Sequence, residues 1–170
     1  MLSVCMLVLF VSNGCISHQT NVRGIDVRED AVRTVSMNQP VAIRNIAPET
    51  GKTRIETSLG NNYYGDFHQY TTACVNTLTQ ELERQKIQVS EHASKVLSLA
   101  VTDAKQRMGA VDFKVDVTLT VKTGNGLEKQ FVGEQTHGNG WGTTPAVEHA
   151  LAHCVEQMLS DSDIITYLEH

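Results

Sequence analysis

Residues 110–121 alternate apolar and polar side chains without a break: Val111, Phe113, Val115, Val117, Leu119 and Val121 stand against Asp112, Lys114, Asp116, Thr118 and Thr120. Successive side chains of a strand point to opposite faces, so this run predicts a strand with one face on a core and the other in water. Gly124-Asn125-Gly126 supplies residues that tolerate positive φ, and a hairpin into a strand over 128–136 is the expected continuation. Two shorter β-rich runs, 41–46 after Pro40 and 96–101, predict further strands. The stretch between them and up to Asp66, marked by Gly51, Gly60, Asn61, Asn62 and Gly65, reads as a long loop.

The period changes at Asp66, a plausible N-cap. Phe67, Tyr70, Cys74, Leu78 and Leu82 recur three or four apart, and Thr71 and Val75 widen the stripe, which predicts an amphipathic helix. A second helix is expected from Thr143-Thr144-Pro145, with a threonine cap and proline at the first helical position. Val147, Ala150, Leu151, Cys154, Val155 and Met158 form its apolar stripe, and Ile164, Ile165, Tyr167 and Leu168 pack back after residues 160–163 end it. The order strand, helix, several strands, helix predicts an α+β domain: an antiparallel or mixed sheet of four to five strands with two helices packed on one face. Residues 40–170 suit one such domain, because a chain of 170 residues leaves little room for two cores.

The beginning of the chain follows neither period. Leu2 to Val11 form an apolar run long enough for a signal-peptide core and too short for a membrane-spanning helix. Ser12, Asn13 and Gly14 follow, then Cys15, then a polar stretch with scattered valines. This order resembles the bacterial lipoprotein signal, which is cut before a cysteine that becomes diacylated. Gly14 and Cys15 agree with its box, while Ser12 stands where a larger apolar residue is usual and no Lys or Arg precedes Arg23, which points to an upstream start. The expected organisation is a signal peptide over 1–14, a lipidated Cys15 with a tether to residue 39, and the domain over 40–170. Ile16 is not the aspartate that retains such proteins at the inner membrane, so the resemblance implies an outer-membrane anchor with the domain on the periplasmic side. The alternative readings are plain secretion, or a cytoplasmic protein in which residues 1–14 form an N-terminal strand, with Cys15 an incidental thiol in either case.

Charge excludes one class of partner. Fourteen basic residues against nineteen acidic ones give a net charge of −5, with no Lys or Arg cluster dense enough to follow a phosphate backbone, so nucleic acid is not expected.

Candidate chemistry is sparse. Cys74 and Cys154 lie in the apolar stripes of the two helices, where they are either a disulfide, which an oxidising compartment permits, or two buried free thiols. His149 and His153 stand four apart on the second helix, the spacing of a metal-binding pair; the glutamate of a zinc protease is missing, and a solvated helix face is the other reading. A metal-dependent binder or enzyme would draw on these two and Glu156. Trp141, amid Gly138, Gly140 and Gly142, is either a core plug or a partner contact, and the glycine run is either a bend or an anion cradle at a helix start. No nucleophile motif and no cofactor motif is present.

Cys15, the strand from Val41 and the closing run from Pro145 to Asp161 together resemble small uncharacterised Gram-negative envelope lipoproteins of the YajG type. The resemblance implies membrane attachment through an acylated Cys15, a non-enzymatic binding or accessory role with an envelope protein as partner, and no cofactor.

Overall fold

The computed structural model describes residues 17–49, 51–58, 61–109, 111–138 and 142–170. In chain order these form β1 (Ser17–Thr20), a 3-10 turn (Glu29–Ala31), β2 (Val41–Asn45), β3 (Lys52–Ser58), β4 (Asn61–Asp66) and α1 (Phe67–Arg84). β5 (Lys95–Met108), β6 (Asp112–Thr123), β7 (Glu128–Gly138), α2 (Thr143–Ser160) and α3 (Ser162–Glu169) follow.

A four-stranded mixed sheet in the order β2-β5-β6-β7 carries the core. β2 runs parallel to β5, and β5, β6 and β7 form an antiparallel meander. The alternating run becomes β6 as expected: Phe113, Val115, Val117, Leu119 and Val121 are all buried. Val111 lies outside the strand and is 79% exposed, so the alternation overreached by one residue pair. The polar face of β6 joins an exposed ion network, Arg107 to Asp116 and Lys114 to both Asp116 and Glu134. The turn into β7 uses Gly126 at φ +92°, a conformation other residues resist.

α1 and α2 pack on the apolar side of this sheet, α1 against β5 and β2, α2 against β7 and β6, and against each other. Asp66 caps α1 as expected, its carboxylate accepting from the Gln69 N–H at 3.0 Å. α2 begins earlier than predicted: its N-cap is Gly142, without a side-chain cap, and Pro145 falls at the third helical position. Proline is tolerated there because first-turn N–H groups have no intrahelical partner. All six residues of the predicted α2 stripe are fully buried. Each large aliphatic among them contributes about 1.5–3 kcal/mol, against about 0–1 kcal/mol for an exposed ion pair, so core burial rather than the ion network holds the two layers together.

Gly133 allows the close approach of α2 to β7. A Cβ there would overlap the Ala150 carbonyl and come within 2.9 Å of the Cys154 sulfur. The edge strand β7 is also capped from α2: Gln157 donates to the Val132 carbonyl at 2.9 Å, and His153 Nδ1 meets the Glu134 carbonyl at 3.0 Å. An edge so occupied is a poor template for another strand.

Two parts of the chain differ from the sequence reading. The expected long loop contains β3 and β4, which with β1 build a second, three-stranded sheet in the order β1-β4-β3. Its sequence hides it, because Ile55 is the one aliphatic residue within β3 and β4 and a bulge between Arg54 and Glu56 breaks the alternation. The Glu56 carboxylate joins this sheet to the larger one by accepting from the Met108 N–H at 3.1 Å. Residues 17–39, read as part of a tether, instead begin in β1 and then pack along the helices, with Val22, Ile25 and Val35 buried in the main core.

Candidate functional site

The segment over 21–39 crosses the seam between α1 and α2 as a strap. From α1, Thr77 Oγ1 donates to the Ile25 carbonyl at 3.3 Å, and Tyr70 donates to the Thr20 carbonyl at 3.4 Å. Gln85, just beyond α1, accepts from the Val35 N–H at 2.7 Å. From α2, the Glu148 carboxylate accepts from the Arg23 N–H at 2.8 Å. The firmest attachment is Glu156, a buried carboxylate that takes both the backbone N–H of Arg28 at 3.0 Å and its guanidinium at 3.1 and 3.0 Å. Burial pushes the Glu156 carboxyl up, but the hydrogen bonds and charge of Arg28, with His153 nearby, outweigh it and hold it below its ordinary value. Glu156, which the sequence grouped with His149 and His153, is thus turned to the strap and bonded to Arg28. Its signal in the sequence is a single glutamate on the border of an apolar stripe, with no local partner to reveal it.

The sulfur candidates come together in the core. Cys74 and Cys154 are both free thiols and both fully buried. Burial pushes Cys74 up, and the proximity of Cys154 adds to it; burial pushes Cys154 up to about 12. Cys154 also donates to the Val117 and Phe131 carbonyls at 3.5 Å each. Thiols so placed stay protonated at neutral pH, which removes the thiolate needed for nucleophilic or ligand chemistry.

The histidines do not converge. Because a carbonyl only accepts, the His153 Nδ1 facing the Glu134 carbonyl carries the proton. His149 is exposed and lies 5.7 Å, ring to ring, from His137. Burial, with His149 alongside, lowers the His137 pKa. Among the described residues no group of three or more His, Cys, Asp or Glu is arranged to hold a metal ion. Cys15 and Trp141 lie outside the described residues.

A further surface was not singled out by the sequence. In the small sheet, register sets Gln19, Tyr64 and Arg54 in one row across β1, β4 and β3, and His18, Tyr63 and Glu56 in the next. Two members of the second row turn inward, Tyr63 against the core and Glu56 onto β5, while His18 is exposed and stacks on Tyr63 at 5.0 Å. Thr20 is buried, and a Cβ at Gly65 would meet the Tyr70 hydroxyl at 2.7 Å. The first row therefore faces out. It borders a recess of about 250 Å³ lined by Ser17, His18, Gln19, Lys52 and Tyr64. Lys52 and Arg54 are exposed and form no ion pair among the described residues. No helix among the described residues is long and apolar enough to cross a membrane.

No family model matches the sequence, and no curated protein does. Among solved structures, the crystal structure of a Xanthomonas campestris protein of the family DUF330 is similar over 89% of this chain and 93% of its own, at 13% identity and a TM-score of 0.41. An uncharacterized protein is similar over 86% of this chain and 90% of its own, at 10% identity and a TM-score of 0.34. Likenesses this distant carry no argument about function.

Proposed function

We propose that this chain is a non-enzymatic, lipid-anchored accessory domain of the cell envelope, held through an acylated Cys15 at the periplasmic face of the outer membrane and binding a protein or lipid component there. The observation that carries this reading is how close the described fold comes to that cysteine. β1 begins at Ser17, two residues after the cysteine that ends the signal-like segment, and the strap then fastens that start to both long helices. A polypeptide spans at most about 3.6 Å per residue, so an acyl anchor at Cys15 would lie roughly 7 Å from the folded domain. Force or position at the membrane would pass straight into the core.

The non-enzymatic part is supported by the duties of the reactive side chains. Glu156 latches the strap, His153 caps an edge strand, and the two core cysteines are buried as thiols.

The test is metabolic labelling of cells with a palmitate analogue, combined with cross-linking in intact cells. The wild-type chain should take the label, fractionate with the outer membrane and yield a cross-linked envelope partner, and Cys15→Ser should lose the label and leave the membrane. An unlabelled, soluble wild type without a partner would overturn the reading in favour of plain secretion.

A further inference from the structure

The small sheet has one face on the domain and one face free, and the free face carries basic and aromatic side chains next to the start of the fold. We propose that this outer face, with Lys52, Arg54 and Tyr64, lies against an anionic phospholipid surface. The inference rests on acylation of Cys15 and adds to it an orientation and a chemical partner.

Three observations carry it. First, the link is short. One residue, Ile16, separates Cys15 from Ser17, so two peptide steps leave β1 within roughly 7 Å of the anchor. Second, the opposite face is occupied. Thr20 is buried, Gly65 is backed by Tyr70 and Glu56 is bonded to β5, which leaves the row of Gln19, Tyr64 and Arg54 to meet whatever lies outside. Third, the charge is complementary. Lys52 and Arg54 form no ion pair among the described residues, and with Asp66 opposite Lys52 as the acidic neighbour in register, this face keeps a positive balance in a chain of net charge −5.

Magnitudes agree with a face-on arrangement. With the face laid on the membrane, the roughly 10 Å between β1 and β3, two strand spacings of about 4.8 Å, runs along the surface, so both cations stay within the Debye length of about 8 Å of it. Each basic side chain near such a surface favours contact by roughly fivefold. The Tyr64 ring presents an apolar body and a polar hydroxyl, the combination that suits the headgroup zone. An edge-on arrangement, with the turn between β3 and β4 pointing at the membrane, would hold Arg54 away from it.

The experiment uses the full-length acylated protein in phosphatidylethanolamine–phosphatidylglycerol vesicles containing headgroup-nitroxide lipid. A fluorophore is placed at Gln19→Cys, in the same outward row but outside the proposed basic and aromatic contacts, and in a second sample at Gln130→Cys on the polar face of the large sheet. Burial of Cys74 and Cys154 keeps the labelling specific. Intact mass of the same samples reports acylation. The proposal predicts quenching severalfold stronger at position 19 than at 130, and weaker quenching at 19 when phosphatidylcholine replaces phosphatidylglycerol or when Lys52→Gln and Arg54→Gln are added. An acylated protein with equal or weaker quenching at 19, or with quenching that ignores these changes, overturns the orientation while leaving the anchor intact. An unacylated protein with no quenching at either position overturns both.

Discussion

Glu156 is the strongest polar attachment of the strap to the helices. It sits on α2 with its side chain 7% exposed, whereas its partner Arg28 is 66% exposed. A fully buried ion pair can cost 3–5 kcal/mol to break, but an exposed guanidinium recovers its hydration, so about 1–2 kcal/mol is the expected loss for Glu156→Gln. Thermal or urea unfolding measures this directly. The pH dependence has a definite sign. The folded-state pKa is depressed, so the latch contributes fully above the ordinary glutamate value of about 4.3 and is lost as pH falls through the folded value. The stability gap between wild type and Glu156→Gln should therefore close below about pH 4; a gap of constant size across that range would contradict the latch. At Gly133 the argument is steric. A methyl group would meet backbone of α2, which cannot turn aside as a side chain can, so Gly133→Ala should destabilise by about 1–3 kcal/mol. Its denaturation midpoint should fall accordingly.

At the scale of elements, legibility followed periodicity. β6, α1 and α2 could be read because their buried positions recur at fixed intervals and each buries a continuous stripe. β3 and β4 could not, since a bulged hairpin of threonines, asparagines and tyrosines presents no period. The strap was misread for a related reason. Val22, Ile25 and Val35 are buried at irregular spacing, and backbone groups there are bonded by side chains distant in sequence. The sequence does lead out of α1 into the sheet over 86–89, as observed, but the cap that ends the helix was silent. Lys86 adopts φ +65°, with its N–H on the Glu83 carbonyl and the Ile87 N–H on that of Leu82, a Schellman cap built on a residue other than glycine. Left-handed backbone costs an L-residue about 1 kcal/mol, so Lys86→Gly should raise stability by about 0.5–1 kcal/mol. Calorimetry would show a higher melting temperature, and a lower one would contradict the cap.

For the whole molecule, the expected α+β layout is present, a four-stranded mixed sheet with two helices on one face, joined by a second sheet and a strap that the sequence did not announce. The candidate site was less legible than the fold. Cysteines and histidines attract attention by type, yet here two are buried thiols and one caps a strand edge. Lys52, Arg54 and Tyr64 are ordinary residues whose meaning comes only from sharing a face beside the start of the fold. The resulting account is a domain in which β1 lies two residues beyond the proposed anchor and the strap ties β1 to both long helices, so that an anchor at Cys15 would be coupled to the core through the small sheet.

Intact mass spectrometry of the membrane-fraction protein, beside Cys15→Ser, tests that account most directly. The predicted result is a wild-type chain that begins at Cys15 and carries acyl mass, with the variant lacking that mass. A wild-type chain of unmodified mass would contradict it.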